Sequence, residues 1–319
     1  MSAKKDALSM TTPADSSKSE STYVIDAENA AEMARLTNQD RLVTKVMGGL
    51  FPERSDHSTI HEILDIACGP GGWVLDLARA YPEKRVSGID ISTLMIEYAR
   101  YQAHVHGLNN VSFRVMNALE PLDFPDNSFD FVNARLMAAF MPIEAWPGFM
   151  QECLRITRPA GIIRLSECEM ALTNSPAFEQ INRMILRAAQ VTKRCFSPDG
   201  RNLGITPMLR GFLHDAGCQN IQKKASVLDF SAGTEAHASQ YQNTMVFFKL
   251  IQPFLIKVGV TTQEEIDRWY QQTLTEMQSN EFCGIWYYLR KCSGIPCGCQ
   301  VWCHSSTALS RHGQLQYRA

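Results

Sequence analysis

From residue 26 to residue 289 the chain alternates short apolar runs with stretches of helical spacing. Apolar positions at Ala30, Met33, Ala34, Leu36 and Leu42 predict a leader helix over residues 26–46, ended by Gly48-Gly49. A strand then closes at Asp65, and after a glycine turn a helix runs from Trp73 to Tyr81, where Pro82 stops it. Arg85–Asp90 reads as a second strand, Ser92 as the cap of the helix that follows, and Val111–Asn117 as a third strand with its exit. Pro125-Asp126-Asn127 make a turn into a fourth strand, Phe129–Asn133. A helix over Trp146–Thr157, a turn at Arg158–Gly161 and a fifth strand over Ile162–Ser166 complete a βα series.

Beyond it the spacing predicts helices over Pro176–Lys193 and Gly204–Ala216 and a sixth strand over Ser226–Phe230. Two helices, His237–Val258 and Thr262–Ser279, come next, the second opened by a Thr262/Glu265 capping box. The apolar, aromatic run Phe282–Leu289 is the candidate seventh strand.

Composition narrows the class. Of 319 residues, 45% are hydrophobic and 20% charged, which is ordinary for a globular protein. A net charge of −2 carries no basic footprint, so a nucleic-acid partner is not expected. No apolar run is long enough for a membrane span, and the lysines near the start are not followed by a secretory core. Scattered single cysteines read as reduced residues of a cytoplasmic protein.

The chemistry centres on residues 62–73, Glu-Ile-Leu-Asp-Ile-Ala-Cys-Gly-Pro-Gly-Gly-Trp, a strand, a tight turn and a helix start. Backbone N–H groups gather at such a place, and glycine leaves room for a ligand. A Walker loop is excluded because Trp73-Val74 stand where Lys-Ser/Thr would be needed. A dinucleotide fingerprint fails at its third glycine, which would fall on Val74.

What fits is Asp-x-(Gly/Ala)-x-Gly-x-Gly, carried by Asp65, Ala67, Gly69 and Gly71. In this, and in the Leu-x-Arg-Ile-Thr-Arg-Pro-x-Gly turn before the fifth strand, the chain resembles the class I S-adenosylmethionine-dependent methyltransferases. The resemblance implies an α/β, Rossmann-like, doubly wound, seven-stranded and mostly parallel sheet whose last strand is antiparallel. It implies S-adenosyl-L-methionine as cofactor, with Asp65 and the turn Ala67, Gly69, Pro70 and Gly71 around the methionine portion. Asp90 and Ile91 then belong at the ribose, Asn117 (usually Asp in the family) and Ala118 at the adenine, and Asn133 near the sulfonium. Neither Asn/Asp-Pro-Pro-Tyr nor Pro-Cys follows the fourth strand, which argues against a nucleobase acceptor.

The expected activity is methyl transfer to a small-molecule acceptor, apolar, aromatic or of secondary-metabolite type. The alternatives are an RNA or protein methyltransferase and a non-catalytic S-adenosylmethionine-binding protein. Candidate bases for an acceptor proton are Glu167, His237, His57 and Tyr23; Phe140, Trp146 and Phe178 are candidate pocket aromatics. About fifty residues separate strands that in the family form a hairpin, so the insertion is expected to be a lid over the acceptor or a homodimer surface. The leader helix is expected either over the cofactor mouth or against a sheet edge.

The expected organisation is a disordered leader (1–20), a helical cap (21–60), the cofactor-binding core (61–236), the helical insertion (237–280), a last core strand (281–290) and an irregular tail (291–319). Cys292, Cys297, Cys299, Cys303 and His304 in that tail lack the paired-knuckle spacing of a zinc site, and no metal is expected.

Overall fold

The computed structural model describes residues 23–51 and 56–294. The leader 1–20 and most of the Cys-rich tail lie outside the described residues. In chain order the elements are α1 (Ala30–Val46), β1 (Glu62–Ile66), α2 (Gly72–Ala80), β2 (Arg85–Asp90), α3 (Thr93–Val105), β3 (Val111–Val115) and β4 (Phe129–Arg135). Then follow α4 (Trp146–Ile156), β5 (Thr157–Cys168), β6 (Leu172–Thr173), α5 (Pro176–Val191), α6 (Ile205–Asp215) and β7 (Gln219–Asp229). The insertion carries α7 (His237–Leu250), α8 (Gln252–Lys257) and α9 (Gln263–Met277), and β8 (Gly284–Gly294) closes the described chain.

One 8-stranded sheet organises these elements in the order β3-β2-β1-β4-β5-β8, with β6 and β7 both paired to β8. β3, β2, β1, β4 and β5 are parallel, and β8 runs antiparallel to β5, β6 and β7. This is the doubly wound, mostly parallel sheet expected from the sequence, with the two-residue β6 as an eighth strand. Alternation along β1 assigns its faces: Ile63 packs with Trp73, Val74 and Leu77 of α2, and Leu64 and Ile66 pack with Trp146, Phe149 and Leu209 of α4 and α6. Parallel strands buried on both faces need such apolar runs.

Several boundaries move. β7 begins at Gln219 rather than Ser226, because it is an exposed edge strand whose polar residues hide the alternation. The helix expected over His237–Val258 breaks at Ile251, where Pro253 starts a new helix as α8. β5 absorbs the Arg158–Gly161 turn, with a register shift opposite Phe129 and Phe131 and Ala160 at φ 63°. β8 extends to Gly294, so the boundaries at 290 and 291 fall inside a strand, and Cys292 is a buried sheet residue.

The leader helix lies across the sheet face that carries Asp65. Arg135 of β4 donates to Asp40 (2.5 Å) and Thr44 (3.2 Å), and Arg290 of β8 donates to the Met47 carbonyl at 3.0 Å. A cation at the C-terminal end of a helix meets the negative pole of its dipole. The insertion folds back on the same chain: α9 packs with α5, and α7 with α1. Val43 of α1, Met47 just after it, Phe178 and Ile181 of α5, Phe248 of α7 and Ile266 and Tyr270 of α9 share one core.

Candidate functional site

A cavity of about 280 Å³ opens at the carboxyl ends of β1, β2, β4 and β5, where open α/β sheets bind ligands. One end is walled by Ala67, Gly69, Pro70, Asp90, Ile91, Asn117 and Ala118. Ala67 (φ 55°), Gly69 (φ 55°) and Gly71 (φ 79°) all take left-handed backbone, so the β1–α2 turn demands the conformation for which glycine is suited. Gly71 is not in the cavity wall. A Cβ there would lie 2.8 Å from the Phe113 ring, so its glycine serves the packing of α2 on β3.

Asp90 ties the turn together. Its Oδ2 accepts from the Gly69 N–H at 2.8 Å, and its Oδ1 from the Ser92 N–H at 2.9 Å. Burial raises the pKa of this carboxyl, while those N–H groups, with that of Ile91, pull it back. Asn117 Oδ1 accepts from the Leu119 N–H at 3.0 Å, an Asx turn that turns β3's exit along the cavity.

Asp65 and Asn133 sit one layer below. Asp65 is 2% exposed, and Asn133 is fully buried. Asn133 donates to Asp65 Oδ1 at 2.6 Å and accepts from Arg164 Nε at 2.7 Å. Neither lines the cavity, so the expected place of Asn133 near the sulfonium is corrected: its amide is spent joining β1 to β5. Burial, opposed by Arg135, raises the Asp65 carboxyl to about 6.

The rest of the wall is mostly apolar, with Ile185 and Ala189 of α5, Phe247 of α7, Ile251, Phe254 of α8 and Trp286 of β8, but it also carries Arg35, 5.2 Å from the Phe247 ring, and Arg194, 5.8 Å from the Phe254 ring. The insertion therefore forms cavity wall. Phe140 also lines the cavity, but Trp146 and Phe178 are core residues, stacked on Phe212 and packed on Phe248 respectively.

The candidate bases separate clearly. His57 lies before β1, at the amino end of the sheet, with its Nε2 3.2 Å from the Tyr81 hydroxyl and its ring against Phe51. His237 opens α7, its Nδ1 3.0 Å from the Phe230 carbonyl. Both are corrected to structural positions outside the cavity wall. Glu167 and Tyr23 do line it. Glu167, at the carboxyl end of β5, accepts from the Met137 N–H at 2.7 Å and the Ala138 N–H at 3.4 Å. Its partners are these two loop N–H groups. Burial drives its carboxyl up to about 8, against the pull of those two N–H groups. The same loop holds Leu136 at φ 58°, a strained conformation for a branched side chain. Tyr23 donates to Glu32 Oε1 at 2.7 Å, and burial raises its phenol pKa.

Sequence reasoning missed the polar face of α1. Arg35 pairs with both Glu32 oxygens (2.6 and 2.7 Å) and donates to Gln39 (2.6 Å) and to Asn243 of α7 (2.9 Å). Arg35, Gln39, Asp40 and Asn243 all line the cavity. Glu28 was also missed; its carboxylate accepts from the Thr93 and Leu94 N–H groups (both 3.0 Å) at the start of α3. The available signal was the i, i+3, i+7 spacing of Glu32, Arg35 and Gln39, which puts them on one helical face.

Among the described residues no cluster of His, Cys, Asp or Glu is arranged to hold a metal, and no helix is long and apolar enough to cross a membrane.

Known proteins match part of this chain. A methyltransferase domain family matches residues 63–161. The demethylmenaquinone methyltransferase of Geobacillus stearothermophilus is 37% identical over 100 residues, 31% of this chain and 42% of that protein. The demethylmenaquinone methyltransferase of Listeria welshimeri is 32% identical over 120 residues, 37% of this chain and 49% of that protein. The chain thus spans less than half the length of these relatives. The crystal structure of the YcgJ protein from Bacillus subtilis covers 74% of this chain and 92% of its own, at 17% identity and a TM-score of 0.45.

Proposed function

We propose that this chain, whose residues 63–161 match a methyltransferase domain family, moves a methyl group from S-adenosyl-L-methionine to a small, largely apolar acceptor. One observation carries this reading: a single cavity joins the glycine turn and Asp90 to an apolar wall built largely by α5 and the inserted helices.

The residues at the turn suit the cofactor. Asp90 stands in the cavity wall at the carboxyl end of β2, where a carboxylate can accept ribose hydroxyls. Asn117 and Ala118 border the next position along the sheet. Asp65 lies beneath the turn, outside the cavity wall, with its Oδ2 4.0 Å from the Arg135 guanidinium. The sulfonium supplies a methyl group already activated for in-line displacement. What remains for the protein is alignment, exclusion of water and removal of an acceptor proton.

Glu167 is the acceptor-side base in this reading, a buried carboxyl on the cavity wall whose pKa, at about 8, is near working pH. Tyr23, fixed by Glu32, is a second polar group on the cavity wall that orients the acceptor. The apolar wall favours a ring or chain-bearing metabolite over RNA or a protein side chain. The relatives are named for demethylmenaquinone, but their matches span only 100–120 residues, so the cavity wall remains the better guide to the acceptor. The free thiols of Cys68, Cys153, Cys168, Cys195, Cys218 and Cys283 support a reducing, cytoplasmic setting.

The test is calorimetry with S-adenosylmethionine, followed by transfer of labelled methyl to a panel of apolar hydroxyaromatics, quinols, bulk tRNA and peptides. Binding with transfer to the apolar panel is expected. Absence of S-adenosylmethionine binding, or binding unaffected by Asp90→Ala, overturns the reading.

A further inference from the structure

Two carboxylate oxygens, Asp40 Oδ1 and Asp65 Oδ2, approach the Arg135 guanidinium, and the Oδ2 atoms of both residues are unusual. Asp40 Oδ1 accepts from Arg135 Nη2 at 2.5 Å, and the same Nη2 stands 4.0 Å from Asp65 Oδ2. Asp40 Oδ2 and Asp65 Oδ2 are both buried and have no hydrogen-bond partner among the described residues. Arg164 reaches Asp65 through the Asn133 amide, not directly. A buried carboxylate oxygen left unsatisfied is costly, and Asp40 Oδ2, whose residue lines the cavity, calls for a donor. Asp40 lies in the cavity wall beside Ala67 and Gly69, at the end of the cavity assigned to the methionine portion.

Its approach is close. A Cβ on Gly72 would stand 2.3 Å from Asp40 Oδ2, so α1 reaches the first residue of α2 because that residue is glycine. An ammonium group carries three donors and a full charge, which suits an unsatisfied carboxylate oxygen such as Asp40 Oδ2. A neutral ligand of the same cavity that lacks the amino-acid end leaves it as it is.

We propose that Asp40, on the leader helix, completes the methyl-donor site from outside the sheet by binding the ammonium of the donor's amino-acid end. This rests on the donor assignment above. It makes α1 a part of the cofactor site and selects the amino-acid-bearing cofactor over its truncated nucleoside.

The test is calorimetry on the full chain with two ligands, S-adenosylmethionine and 5′-methylthioadenosine, the latter lacking the amino-acid end. Asp40→Asn keeps an Oδ1 acceptor for Arg135. It is expected to weaken S-adenosylmethionine binding by roughly ten- to a hundredfold, the range of a charge-assisted hydrogen bond, with 5′-methylthioadenosine affinity changed by less than about twofold. Thr44→Val removes the other Arg135 contact on α1 without touching Asp40, and is expected to show no such selectivity. Thermal melts of both variants report whether the chain remains folded. Equal loss for both ligands, no loss for either, or an equally selective loss in Thr44→Val overturns the proposal. Wild-type protein that binds neither ligand overturns the donor assignment itself, and this proposal with it.

Discussion

Asp65 and Asn133 are register partners on adjacent parallel strands, and the Asn133 amide donates to Asp65 Oδ1 at 2.6 Å. The row continues on β5, where Arg164, the partner of Asn133, donates to its Oδ1 at 2.7 Å. A charge on either side is thus bridged by a neutral amide that can both donate and accept. The row fixes the height at which β1 delivers the glycine turn.

Replacing the bridge by an isosteric apolar residue tests this. Asn133→Leu leaves Asp65 Oδ1 and Arg164 Nε buried without their shared partner, at a cost of about 1–3 kcal/mol for each group. Urea denaturation is expected to show a lower midpoint with an unchanged slope. Stability within about 0.5 kcal/mol of wild type removes the bridge from the account of the fold.

The acceptor half makes a second prediction. Ala189 of α5 lies in the apolar wall, away from the glycine turn. Ala189→Trp is expected to fill this end, abolishing methyl transfer while leaving S-adenosylmethionine affinity within about threefold, since the filled volume lies outside the donor contacts. Parallel calorimetry and labelled-methyl assays separate the two halves. Loss of cofactor binding along with transfer shows that they are not separable as described.

Much of this arrangement was legible in the residues, and the rest was hidden for physical reasons. Asp65, the β1–α2 turn and Asp90 could be placed because a strand, a positive-φ turn and a strand-end acid leave local signatures. Ser92 was correctly placed as a cap, accepting from the Met95 N–H at 3.1 Å. The fate of Asn133 was not visible, because whether a strand-end amide faces the cavity or its neighbours depends on cross-strand register. His57 and His237 were chemically suitable, and only the topology puts one at the wrong end of the sheet and the other outside the cavity. The role of α1 was the largest omission. Its buried residues include Glu32 and Arg35, so a hydrophobic-face reading looks for the inward side among the wrong positions.

Glu167 predicts a pH dependence. Its ordinary pKa of 4.5 rises to about 8 in the folded chain through burial, so between those values the folded state binds more protons than the unfolded one. The stability it contributes is full below about pH 4.5 and is lost as pH rises through about 8. Asp65, raised from 3.8 to about 6, adds a slope of the same sign over a lower window. Glu167→Gln cannot titrate, so its melting temperature is expected to fall less than that of wild type between pH 5 and pH 9. Subtracting the two profiles removes the Asp65 contribution. Parallel profiles exclude protonation of Glu167 on folding and weaken its assignment as the base.

The contact between α1 and α2 gives the last prediction, one of coupling rather than of a single loss. Gly72→Ala puts a Cβ within 2.3 Å of Asp40 Oδ2, and a charged side chain anchored on Arg135 has little freedom to withdraw. The helix is expected to shift, weakening cofactor binding and exposing the Gly48-Gly49 segment after α1 to protease. If Asp40 is the obstacle, shortening it removes the clash. Asp40→Ala/Gly72→Ala is therefore expected to bind cofactor no more weakly than Asp40→Ala alone, a coupling of at least about 1 kcal/mol in a double-mutant cycle. Additive losses indicate instead that Gly72 serves the helix start by itself, and that α1 rests on the turn without reading its shape.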